Sequence, residues 1–265
     1  MTTIPMDIEW RRTSRNTEIA VAEIHPYGEI FLKRSFLIKS CELNEHIDSF
    51  NLLQEITRNI EGATSPAIIE PLCVGNVIAL ELISHKSFHE LWLDENYPQE
   101  QVLLDIMCLY GWLAKFHNAT VNSIDQVPLC YVDFGPKNLI PLDDDCVTFI
   151  DPPLKFTRRD VFYDFGTLVF EIERSLIQAA RPCLIWKSRE LARTWVVSKK
   201  IVHPYQLYKK GIQRHVFTVV ARYVNFYRKP RPIIEFLRGM VIVPCLIFYH
   251  ILLSVYDLIL QFKVK

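Results

Sequence analysis

Asp133, Asn138 and Asp151 are spaced as a group that can move a phosphoryl unit. Asn138 follows Asp133 by five residues within Tyr131-Val-Asp-Phe-Gly-Pro-Lys-Asn-Leu-Ile140. Asp151 comes thirteen residues later, after the apolar run Val147-Thr-Phe-Ile150. Phosphoryl transfer uses one carboxylate to orient an attacking hydroxyl and take its proton, and an amide and a second carboxylate to hold a divalent cation against nucleotide phosphates. Few hard oxygen ligands suit Mg²⁺, which completes its shell with phosphates and water. Asp133 is then the expected base, and Asn138 and Asp151 the expected metal ligands. Each also has a plain structural use: Asp before Gly135-Pro136 favours a turn, Asn caps turns, and Asp151 can simply end a strand.

The flanking sequence must bring these groups together. Residues 17–24 alternate polar and apolar, His25-Pro-Tyr-Gly28 supplies turn residues, and Glu29–Lys33 runs extended again. This predicts a hairpin with Lys33 near the end of its second strand. Residues 42–60 carry Leu43, Ile47, Phe50, Leu53, Ile56 and Ile60 at three- and four-residue steps, an amphipathic helix stopped by Gly62 and Pro66. The apolar runs 67–74 and 77–83, broken at Gly75-Asn76, predict a second hairpin. From Pro98 to His117 the period is helical again, and two short strands are expected near 139–140 and 147–150, with the acidic turn 143–145 between them. After Asp160 the pattern is helical, interrupted at Pro182, Pro204 and Lys229-Pro-Arg-Pro232. Strands with one helix, followed by a helical portion, predict a two-lobed α+β architecture.

With the elements in this order, residues 131–151 resemble the catalytic and metal-binding loops of the protein-kinase-like superfamily. The nearest branch is that of the aminoglycoside phosphotransferases and lipopolysaccharide-core sugar kinases, whose loop reads His-Gly-Asp, four variable residues, then Asn. Gly28-Glu-Ile-Phe-Leu-Lys33 resembles the strand that bears the phosphate-binding lysine, and the 42–60 helix the one whose glutamate pairs with it. Val77-Ile-Ala-Leu-Glu-Leu-Ile83 is similar to the hinge strand that meets adenine. Leu113-Ala-Lys-Phe-His117 and Arg159-Asp-Val-Phe-Tyr-Asp164 resemble the family's helix end and its Tyr-Asp helix start. The resemblance runs from about residue 13 to 175. It implies a bilobal protein-kinase-like fold with a small β-rich N-lobe (1–83) and a helical C-lobe (84–265). It implies ATP and Mg²⁺ as cofactors, Lys33 as phosphate clamp, Glu55 as its helix partner, and Glu81 and Ile83 as hinge residues. The implied acceptor is a hydroxyl of a sugar, a lipid-linked glycan or another small molecule. Three departures stand out: Thr13–Thr17 replaces a glycine-rich loop, Tyr131-Val132 replaces His-Gly, and Pro152-Pro153 follows the metal aspartate. They leave a second reading, a catalytically inactive pseudokinase serving as a membrane-associated scaffold. Asp164-Phe-Gly166 spells the protein-kinase metal motif but falls inside a helical pattern, so Asp164 is expected to be structural. His117 is expected to be a buried histidine that holds the loop.

Composition excludes several other classes. Of 265 residues half are apolar and 23% charged, which supports a packed core rather than disorder. Seven scattered cysteines without a CxxC argue against zinc and disulfide frameworks and point to a reducing compartment. Only eight glycines are present, and neither a Rossmann nor a Walker pattern appears. No apolar signal-peptide core follows the N-terminus. Zero net charge conceals a division: residues 1–153 hold 10 basic and 23 acidic groups, residues 154–265 hold 20 and 7. Between Lys187 and Arg238, 13 basic residues face two acidic ones, with aromatics such as Trp186, Trp195 and Tyr208 interleaved. The apolar segment 239–256 follows, containing Pro244 and His250. Surface attachment to an anionic membrane, a short span, and a buried terminal helix are all compatible with that pattern. No nucleic-acid module accompanies the basic run, so nucleic acid is not an expected partner. The expected location is cytoplasmic, with a peripheral position on the inner face of a membrane as its extension.

Overall fold

The computed structural model describes residues 8–14, 17–36, 43–73, 75–121, 127–142, 145–198 and 248. The chain divides into two compact units, residues 1–211 and 212–265. Of the second unit only Phe248 is described, so the expectations for segment 239–256 and for the basic run beyond Ser198 lie outside the described residues.

The first unit opens with β1 (Arg11–Ser14), β2 (Thr17–Ile24) and β3 (Gly28–Ser35), then α1 (Leu43–Arg58), β4 (Ala63–Thr64) and β5 (Val77–Glu81). Strands β1, β2, β3 and β5 form an antiparallel sheet in that order. Its register sets Ala20 beside Leu32 and Leu32 beside Ala79, all buried on one face. Because side chains alternate along a strand, Phe31 and Lys33 point to the other face. There Phe31 packs with Leu43 and Phe50 of α1. The hairpin expected from residues 67–83 forms only in part. Pro71 has no N–H for a ladder, and the first run makes one bridge, Ile68 to Leu80, before a 3₁₀ turn at Glu70–Leu72. Gly62, at φ +78°, turns the chain after α1 where a Cβ would stand 3.3 Å from the Trp112 ring.

The helical part contains α2 (Phe88–Trp92), α3 (Gln99–Thr120), β6 (Leu129–Cys130), β7 (Leu139–Pro141), β8 (Val147–Phe149), β9 (Thr157–Arg158), α4 (Val161–Gln178) and α5 (Leu184–Ser198). β7 and β8 pair antiparallel, and β4 adds to β8 in parallel, where the Thr64 and Thr148 hydroxyls hydrogen-bond at 2.8 Å. Helices α3, α4 and α5 pack through Tyr110, Phe165 and Trp195, with Phe165 stacked on Trp195 at 4.8 Å. Buried Asp105 accepts hydrogen bonds from Trp92, Tyr97 and Gln101. Burial raises its pKa against the pull of those three donors. A small strand-rich part carrying Lys33 thus precedes a helical part carrying the 131–151 loops, which is the bilobal α+β layout the resemblance implies.

Candidate active site

The loop after β6 is fastened from beneath by one carboxylate. Asp164, fully buried on α4, accepts the Tyr131 N–H at 2.8 Å and the Val132 N–H at 2.9 Å. It also accepts the Nε2–H of buried His117 at 3.0 Å. Both residues therefore hold the loop, as their sequence context predicts. The clamp fixes Val132 at φ +69°, a left-handed conformation that a β-branched residue rarely adopts. Tyr131 is buried among Phe116, Phe134, Phe149 and Phe156, with ring centroids 5.6–6.1 Å away. Its hydroxyl donates to the Ile150 carbonyl, tying the loop to the residue before Asp151. Burial, aided by the carboxylates Asp151, Asp133 and Asp164, raises the phenol well above its ordinary range and keeps it a donor.

Above this base Asp133 lies exposed, its N–H bonded to the Tyr131 carbonyl at 2.8 Å. The Asn138 side-chain amide donates to the Asp133 carbonyl at 2.9 Å, and the Asn138 carbonyl accepts the Ile150 N–H at 2.9 Å. With Nδ2 spent on the Asp133 carbonyl, Oδ1 is the Asn138 side-chain atom that could hold a cation. Between the two, Gly135 runs so close to α4 that a Cβ would meet that of Glu171 at 2.9 Å. The Pro136 carbonyl accepts the His89 N–H at the start of α2.

Asp151 follows β8 at φ +58°, which Asp tolerates better than most residues, and forms an ion pair with Lys33 of β3. Residues 118 apart in sequence are thereby joined. They meet in a cavity of about 500 Å³ lined by Thr17, Ile19, Phe31, Phe50, Glu81, Leu82, Ile83, Lys137, Asn138, Ile140 and Ile150 in addition to the pair. Glu81 spends its N–H on the Ala67 carbonyl and its carboxylate on the Ala67 N–H. The Ile30–Glu81 pairing, with the Glu81 N–H turned to Ala67, sets the Leu82 N–H against the Glu29 carbonyl at the end of the β3–β5 ladder. The cavity thus combines apolar walls with two ammonium groups, a carboxylate and an amide oxygen.

Of the residues singled out from sequence, Lys33, Glu81, Ile83, Asn138 and Asp151 line this one cavity, and Asp133 stands beside it on the loop. Glu55 does not join them. It is exposed, its backbone carbonyl accepts from Asn59, and Lys33 pairs with Asp151 instead. The α1 residue that feels the charges of both members of the pair is His46, about two and a half turns from Glu55 and so on the opposite side of the helix. Burial, reinforced by the Lys33 ammonium and opposed by Asp151, lowers its pKa from 6.5 to about 4. Lys137 is the charged lining residue that sequence reading passed over, though it sits inside the motif itself. Burial and Arg174 lower its pKa, while Glu171 and Asp133 oppose the shift.

No family model matches the sequence, and no curated protein matches it. Among solved structures the chain is similar to the apoenzyme of a macrolide 2′-phosphotransferase from Brachybacterium faecium, at 10% identity and a TM-score of 0.45. The match covers 77% of this chain and 91% of that one.

Proposed function

We propose that this chain is a phosphotransferase that uses ATP and Mg²⁺ to phosphorylate a hydroxyl on a sugar, a lipid-linked glycan or another small molecule. The observation that carries the reading is the cavity in which Lys33, Asn138, Asp151 and residues 81–83 converge from separate parts of the chain. Residues 1–83 form the nucleotide lobe in this reading, and the chain from residue 84 the lobe of the catalytic loop. Adenine lies between the apolar walls and bonds to the 82–83 backbone, and the phosphates extend toward Lys33 and Lys137.

The donor set fits a hard cation. Among the described residues no cluster of three or more His, Cys, Asp and Glu groups could cage a metal without help. One carboxylate and one amide oxygen beside a phosphate site are what Mg²⁺ uses when phosphates complete its shell. Held by Asp151 and Asn138 Oδ1, it would neutralise charge on the phosphate oxygens. Asp133 orients the acceptor hydroxyl and takes its proton. The acceptor oxygen bonds to the terminal phosphorus while the bond from that phosphorus to its bridging oxygen breaks, and ADP leaves with the electron pair.

A panel of hydroxyl acceptors assayed for ADP release tests this function. A productive acceptor should give turnover that Asp133→Asn lowers by about 10²- to 10⁴-fold, with nucleotide affinity retained. The Lys33–Asp151 ion pair favours a second reading, a binding module whose clamp and metal residues satisfy each other. In that case no acceptor is turned over, and Asp133→Asn leaves the cellular role intact.

A further inference from the structure

His46 is 5% exposed, and neither ring nitrogen has a hydrogen-bond partner among the described residues. A buried polar group without a partner weakens a fold, so its presence calls for a use outside the state the structure holds. Its surroundings indicate that use. The ring stacks on Phe50 at 5.3 Å and 21°, and Phe50 lines the cavity. On the same face of α1, Ser49 Oγ donates at 2.8 Å to the carbonyl of Leu154, three residues beyond Asp151. This face therefore lies against the segment that carries Asp151, and through Phe50 it borders the cavity that Lys33 enters.

We infer that His46 is the positioning residue of the site: when Lys33 leaves Asp151 for the nucleotide phosphates, a ring nitrogen of His46 accepts a hydrogen bond from Lys33 Nζ and holds the ammonium in place. The inference rests on the nucleotide reading above. A neutral imidazole has one nitrogen lone pair free to accept and one N–H to donate, so it suits an ammonium without cancelling its charge. A carboxylate at this position would neutralise Lys33 and weaken its pull on the phosphates. In the structure Lys33 is already satisfied by Asp151, which explains why the imidazole stands unbonded.

The test titrates Mg·ADP calorimetrically into the full chain as wild type, His46→Phe and His46→Gln, with urea unfolding of each in the absence of nucleotide. Phe keeps a flat ring on Phe50 and removes the unbonded nitrogens, so its urea midpoint should equal or exceed that of wild type. Its Kd for Mg·ADP should rise about tenfold, as expected for one lost hydrogen bond to a charged group. His46→Gln restores an acceptor and should recover most of the affinity. Wild-type affinity in a stable His46→Phe protein would overturn the inference and leave the nucleotide site standing. Equal weakening in both variants would also overturn it, since packing alone would then account for the loss. Absence of binding by wild type would remove the nucleotide site and this role with it. Should His46→Phe not fold, ¹⁵N spectra of the wild-type histidine rings decide. A His46 nitrogen resonance that moves on adding Mg·ADP is expected, and one that stays in place contradicts the role.

Discussion

Three donors converge on the Asp164 carboxylate: the Tyr131 and Val132 peptides and the His117 ring. Removing it leaves all three buried without a partner, so Asp164→Ala should cost about 3–5 kcal/mol in denaturant unfolding. Asp133→Ala, at an exposed loop position, should change stability by less than about 0.5 kcal/mol in the same measurement. The contrast separates the residue that builds the loop from the one proposed as its catalytic base. Val132 supplies a third comparison. At φ +69° a valine is strained, and Val132→Gly should raise stability by about 1 kcal/mol. An unchanged or lower midpoint would mean that the half-buried side chain repays the strain in packing. At this scale the placement of Asn138 and Asp151 at one cavity, with Asp133 on the adjoining loop, was the most legible part, because the three lie within one short segment. Glu55 was misread because the helical period marks the apolar face of α1 without saying which polar neighbour lies along its edge. His46 counts as polar in such a pattern, yet it sits on the buried side with Phe50 and Leu53.

The larger elements were legible for a related reason. α1, α3 and the β2–β3 hairpin each carry a long period, and each appears within a few residues of its expected bounds. β4, β6 and β9 span two residues apiece, too short to carry any period, and their partners are β8, β9 and β6 respectively. Such strands exist because tertiary packing brings their backbones together. The short α2 was not expected either, although Ser87 and Glu90 form a capping box at its start. Its His89 gives this scale its prediction. Burial, with the charges of Lys137 and Arg174 and against that of Glu90, lowers the His89 pKa from 6.5 to about 4. The unfolded chain then binds a proton below pH 6.5 that the fold refuses until about pH 4, so His89 subtracts stability progressively as pH falls through that window. Thermal melts at several pH values should show a shallower loss between pH 6.5 and 4 for His89→Gln than for wild type. Parallel curves would contradict the buried neutral state.

For the whole molecule, the opposite charges of the two halves suggested an anionic partner for the second half. The described part of the basic run shows that some of its members have inward uses. Arg189 is buried and forks onto Glu173, and Trp195 stacks on Phe165 in the core. Sequence could not reveal this, because a basic residue paired with a carboxylate sixteen positions away looks the same as a solvated one. No helix among the described residues is long and apolar enough to cross a membrane. The lobes were legible as a succession of strands and helices, whereas their joining through Lys33 and Asp151 appears only in three dimensions. That junction is the centre of the functional account, and ligand-induced stabilisation tests it most directly. The full chain should be melted with and without millimolar Mg·ATP beside Asp151→Asn, which tolerates the positive φ of this position. Nucleotide at about 100 times its Kd adds roughly 2.7 kcal/mol. For a chain of this size that corresponds to a rise of about 5–10 °C in Tm. The account predicts such a rise, dependent on Mg²⁺ and lost in Asp151→Asn; a well-folded wild type whose Tm does not move would contradict it.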